Sequence, residues 1–184
     1  MSATSSADSD DAQYNLSLTI SWITFAETKA TILLTIALAF LGASLTDISA
    51  LARVAQNWLS AGAYWSFAGL LLAHLAFYAF LIYSLWKFVD VVRPKLTPKS
   101  EKHSWYFFQS MALLSPNDFH DFTKSLTPEN RLTQLNDQIY NNSVVARQKY
   151  ATIATGLSSL IWAACLAALA VVPTLVADAL LPTN

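Results

Sequence analysis

Charge, glycine and cysteine are all scarce in this chain. Acids and bases together make up 12% of the 184 residues, about half the roughly 25% of a soluble domain, and this excludes a water-solvated surface over most of the polypeptide. With four glycines, no glycine-rich loop is available to cradle a phosphate. The single cysteine, Cys165, rules out a disulfide framework and sits in an apolar run as a small packing residue. No nucleophile motif and no Cys/His ligand spacing occur, and His103 and His120 stand among non-ligand residues, so the reading is of a protein that is not an enzyme and holds no metal. Trp105, Tyr106, Phe107 and Phe108 are aromatic, but the charge around them is nearly balanced, which argues against a nucleic-acid partner.

Apolar residues are abundant, at 54%. They fall in long runs on either side of a polar stretch from Trp105 to Tyr150. Residues 1–13, rich in Ser and Asp, read as a disordered acidic tail, and lack the basic leader and cleavage site of a secretory signal. Tyr14 to Trp22 alternates apolar and polar as a strand would. With no second strand to pair with, the backbone groups would go unmet beside a membrane. Residues 14–28 are therefore expected to form an interfacial helix with an apolar stripe through Leu18, Trp22 and Phe25, and Leu16 to Ala26 is open to crossing as a fourth span.

Three segments offer the roughly 20 apolar residues that a transmembrane helix needs: 29–52, 61–87 and 150–177. Arg53 to Ser60 reads as a short polar link between the first two. Ten of the eleven Lys and Arg lie at Lys29 or between Lys87 and Lys149. Basic residues near span ends stay on the cytoplasmic side, so the N-terminus and residues 88–149 are expected in the cytoplasm, with Arg53 and the C-terminus outside. The fold class is thus an all-α membrane protein with three transmembrane helices, an N-terminal interfacial helix and a cytoplasmic helical insert.

Punctuation defines the insert's helices. Ser115 and Thr127 each precede a proline, so each caps a helix whose first position tolerates the missing N–H, and Asp118 adds an acid at the third position. A short helix from Pro116 to Leu126 and a longer one from Pro128 follow. The latter meets no proline before Pro173, and read to Val172 it would be about 67 Å long. Small residues at four-residue steps, Thr155, Ser159, Ala163 and Ala167 on the third span and Thr35, Ala39 and Ala43 on the first, suit close helix contact within the chain or between copies. A protomer of three spans has little interior of its own, which favours a homo-oligomer in the bilayer.

Candidate functional residues each have a plainer alternative. Glu27 and Lys29 at the mouth of the first span either mark the bilayer boundary or make an inter-helix contact. His74, in the second span, is either a neutral hydrogen-bonding residue between helices or pore-lining. Gln138, Tyr140 and Asn142, with Lys149 and Arg131, form a polar band before the third span that either solvates a helix or contacts a ligand or another subunit. Lys87, Arg93, Lys95, Lys99 and Lys102 are most simply an anchor for anionic lipid.

Several short motifs, in order along the chain, resemble those of the Pycsar effector family of small bacterial membrane proteins. They are Ala26-Glu-Thr-Lys-Ala30, Tyr106-Phe-Phe, Leu114-Ser-Pro-Asn-Asp-Phe119, Gln138-Ile-Tyr140 and Lys149-Tyr150. The resemblance runs from about Trp22 to Trp162. It implies an antiphage effector: a nucleotide cyclase responds to infection, its cyclic nucleotide is sensed, and the effector damages the inner membrane. No separate sensing domain is legible, so the nucleotide would act directly on the insert or through a partner sensor, with no resident cofactor. The competing expectation is a constitutive scaffold subunit that anchors a cytoplasmic partner.

Overall fold

The computed structural model describes residues 4–45, 47–94 and 114–179, and among them every regular element is a helix. In chain order these are α1 (Thr4–Leu45), α2 (Asp47–Ser60), α3 (Tyr64–Val92), α4 (Pro116–Ser125) and α5 (Pro128–Ala179). Three are long and apolar enough to cross a membrane: α1 over Ser9–Leu45, α3 and α5. The chain divides into two compact units, one of Met1–Glu27 with Arg93–Tyr150 and the other of Thr28–Val92 with Ala151–Asn184.

Helix is the outcome for Tyr14 to Trp22 despite their alternation, because an α-helix satisfies its own backbone groups without a partner strand. The helix also extends back to Thr4, so the disorder expected over residues 1–13 is corrected from Thr4 onward. The side of α1 buried in the protein is not the apolar stripe through Leu18, Trp22 and Phe25. Trp22 and Phe25 are exposed, whereas Ala12, Thr19 and Ala26 are buried, with Leu16 and Ile23 half-buried between them. This stripe advances by alternate steps of four and three residues through Ala30, Leu33 and Ala37, the 3.5-residue repeat that makes helices supercoil left-handed.

The same alternation runs along α5 without a slip, through Leu135, Ile139, Asn142, Ala146, Lys149 and Ile153 and on through Gly156, Leu160, Ala163, Ala167, Ala170 and Thr174. From Gly156 onward small residues dominate it. Gly156 lies tight against α3: a Cβ there would meet Phe88 Cε1 at 2.7 Å. The core of the second unit gathers Ala37 of α1, Phe77, Leu81 and Phe88 of α3, and Leu160 and Ala163 of α5. Ser159 Oγ donates to the Phe80 carbonyl across α5 and α3 at 2.7 Å, and Tyr78 Oη donates to the Ser44 carbonyl at 3.0 Å. The α5 small-residue row thus packs within the protomer through Ser159, Ala163 and Ala167, while Thr35, Ala39 and Ala43 on α1 remain exposed. Large apolar side chains outside this core are widely exposed, Trp65 at 91% and Leu169 at 72% among them, a surface that a monomer in water does not sustain and lipid solvates.

Residues 47–60 differ from expectation. The first span ends at Leu45, and Asp47–Ser60 forms α2, so residues 47–52 leave that span and Arg53 to Ser60 is helix rather than link. The cause is an amphipathic pattern: Ala50 and Val54, one turn apart, are buried while Arg53 and Gln56 face out. Gly62, at φ 78°, then closes α2. Its N–H donates to Leu59 O and that of Ala63 to Trp58 O at 2.8 Å, the paired bonds of a left-handed glycine cap.

The cap signals of the insert appear as the sequence implies. Ser115 Oγ accepts from the Asp118 N–H at 3.2 Å and donates to its Oδ2 at 2.6 Å, and Thr127 Oγ1 accepts from the Asn130 N–H at 3.2 Å. Helix α5 passes Pro173 and ends at Ala179. The Tyr106-Phe-Phe motif, Lys95, Lys99, Lys102 and His103 lie outside the described residues.

Candidate functional site

In the first unit, Lys149 carries the clearest departure from ordinary surface chemistry. It lies on the buried stripe of α5, its side chain is 2% exposed, and its Nζ donates to Glu27 Oε1 of α1 at 2.9 Å. Ala26 and Ala146 beside the pair are both buried, small enough for a long side chain to lie between the helices. Glu27 retains 39% exposure, so the two ends differ in solvation. The carboxylate reaches water, whereas the ammonium depends on the protein for its compensation. The sequence offered Glu27 and Lys29 each as a boundary marker or an inter-helix contact. Residues two apart do not share a helix face, and it is Glu27 that reaches another helix, while Lys29 is exposed.

The polar band before Lys149 has a defined geometry. Gln138 Nε2 donates to Asn142 Oδ1 at 3.1 Å, one turn along α5, and both side chains are half-buried. At about 100° per residue, Arg131, Gln138, Asn142 and Lys149 share one face. Tyr140 projects from the opposite side and is 70% exposed. Arg131 and Lys149 are 18 positions apart in the sequence, roughly 27 Å along a helix, more than one mononucleotide spans. The structure therefore joins Gln138 to Asn142 and Lys149 to Glu27, and sets Tyr140 and Arg131 apart from both pairs. Asn142, Lys149 and Thr174 on α5, with Thr19 on α1, are the polar members of otherwise apolar stripes, the kind of position that fixes which residues face each other at some cost in stability.

In the second unit, His74 is buried at 2% exposure, and its Nδ1 lies 2.9 Å from the Leu70 carbonyl one turn back. Its ring is thus engaged with its own helix. Sequence reasoning missed a second ion pair: Arg53 Nε and Nη2 grip Asp178 Oδ1 and Oδ2 at 2.6 and 2.5 Å, joining α2 to the last turn of α5. The hydrogen bond and charge of Asp178 raise the Arg53 guanidinium above its ordinary value. Because the partners are 125 residues apart, no local pattern could reveal the contact. Among the described residues, no group of three His, Cys, Asp or Glu side chains is placed to hold a metal.

Three long apolar helices, buried stripes that include small residues, and ion pairs between helices define a multi-pass α-helical membrane protein. The family model described as Pycsar effector protein domain matches residues 11–177, and the chain belongs to that family. It is accordingly a transmembrane effector of cyclic-nucleotide antiphage defence, and its family is not an enzyme class. Comparison with curated proteins and with solved structures returns no match.

Proposed function

We propose that this effector acts by breaching the bacterial inner membrane when a cyclic-nucleotide signal arrives. Its N-terminus and residues 88–149 face the cytoplasm, a reading supported by the placement of ten of the eleven Lys and Arg at Lys29 or between Lys87 and Lys149. The signal reaches residues 88–149 either as the nucleotide itself or through a sensor protein. It changes how copies of the chain pack, and the spans rearrange so that ions leak. One observation carries the reading: α5 runs for 52 residues without interruption, from the polar band at Gln138 through Lys149 and into the apolar run beyond Tyr150. A helical stretch without proline, as from Gln138 to Val172, can carry a rotation or shift along its axis through its backbone hydrogen bonds.

The test is co-expression with an active nucleotide cyclase while membrane potential is followed with a voltage-sensitive dye. Depolarisation within the time of growth arrest, absent with a catalytically dead cyclase, is the expected outcome. An unchanged potential in cells that contain both the effector and the nucleotide overturns the mechanism.

A further inference from the structure

On the outer side of α3 and α5 in the second unit lies a shallow open groove, with Phe80, Tyr83 and Trp162 as its aromatic walls and Ala154, Thr155 and Ser158 as its floor. The floor is low because its residues are small, and because Ser159 and Gly156 hold the two helices in close contact beneath it. Thr155 Oγ1 is satisfied by the Ala151 carbonyl at 3.0 Å, so the groove presents a surface that suits a hydrocarbon chain. One end carries a positive charge. Lys87, one turn beyond Tyr83, holds its Nζ 5.1 Å from the Tyr83 ring centroid and 5.0 Å from that of Trp86, and among the described residues it makes no ion pair. An ammonium resting on two ring faces is fixed in direction yet keeps donors free for an anion.

We infer that this groove is a binding site for one anionic phospholipid, with its phosphate at Lys87 and an acyl chain lying between α3 and α5 against Phe80, Tyr83 and Trp162. Charge complementarity selects the occupant. A second copy of the chain would have to bring a carboxylate to Lys87 and an apolar face to the groove at once, whereas a phospholipid supplies phosphate and hydrocarbon in one molecule. Lys and Trp at this level of a span suit the headgroup boundary, where a flexible ammonium stem reaches up to phosphate while its methylenes stay in the apolar layer.

The full chain, purified in mild detergent, is exchanged into nanodiscs of equimolar phosphatidylglycerol and phosphatidylcholine with matched acyl chains. The lipid retained after transfer back to detergent is then identified by native mass spectrometry. The wild type is expected to retain phosphatidylglycerol over phosphatidylcholine by about fivefold, the preference one well-placed lysine confers at a membrane surface. Lys87→Gln is expected to abolish the preference while still retaining lipid, and Lys87→Arg to keep it. Ser158→Trp, which fills the floor, is expected to lose retained lipid of both kinds with its circular dichroism unchanged. Equal retention of the two lipids by the wild type, or a preference that survives Lys87→Gln, overturns the inference. So does lipid retention that Ser158→Trp leaves intact, which would place the lipid elsewhere on the surface.

Discussion

At the scale of single residues, the unequal solvation of Glu27 and Lys149 yields an unequal mutational response. Glu27→Ala takes the carboxylate from an ammonium that is 2% exposed. Its cost should lie between the ~1 kcal/mol of an exposed pair and the ~3–5 kcal/mol of a buried one, about 2 kcal/mol. Lys149→Met leaves behind a carboxylate that already reaches water, and replaces a buried charge by an apolar chain of similar length. Its cost should be under about 1 kcal/mol. The Glu27→Ala, Lys149→Met double variant should then be more stable than Glu27→Ala alone. Thermal unfolding in detergent measures all three, and equal, additive losses from the two single changes would dismiss the account. The sequence offered both residues as candidates, but the contact between them crosses 122 positions, and a lone sequence carries no sign of which distant side chains meet.

At the scale of elements, the helices were largely legible, and so was the buried face of α5 at Ser159, Ala163 and Ala167, whereas that of α1 was not. Ser115-Pro116 and Thr127-Pro128 announce helix starts through local chemistry, which operates wherever the chain is placed. Trp22 and Phe25 do not mark the protein-facing side of α1, because in a membrane protein the largest apolar side chains do not have to turn inward. Lipid accepts them, and close packing selects alanine and glycine instead. That selection makes Gly156 the most constrained position of the α3–α5 contact. Gly156→Ala gains about 1 kcal/mol of helix propensity, but drives a methyl group into the ring of the fully buried Phe88, an overpacking that costs about 1–3 kcal/mol. The unfolding midpoint of Gly156→Ala should therefore fall, Gly156→Leu should fall further, and Phe88→Leu in the Gly156→Ala background should recover part of the loss. A rise for Gly156→Ala would mean that the ring moves aside freely.

At the scale of the whole molecule, class and family were readable from composition, the distribution of basic residues and a handful of ordered motifs, and the family match over residues 11–177 agrees. The separation of α2 from α1 was hidden, because Leu51 and Ala52 look like more of the preceding apolar run, and the burial of Ala50 and Val54 belongs to a helix of its own. Arg53 and Asp178 fasten that helix to the end of α5. Since the Arg53 side chain is 59% exposed, the fastening should weaken as salt screens it. Arg53→Ala should lower the unfolding midpoint in dilute buffer and have little effect in molar salt, and the exchange Arg53→Asp with Asp178→Arg should restore the low-salt value. A loss from Arg53→Ala that is the same at every ionic strength would assign the residue a packing role through its methylene stem.

The contact that Glu27 and Lys149 make across the first unit carries one more implication. Sliding α1 by a seven-residue step would move its carboxylate about 10 Å along the axis and strand an ammonium that is 2% exposed, so this one pair ties the two helices to a single alignment.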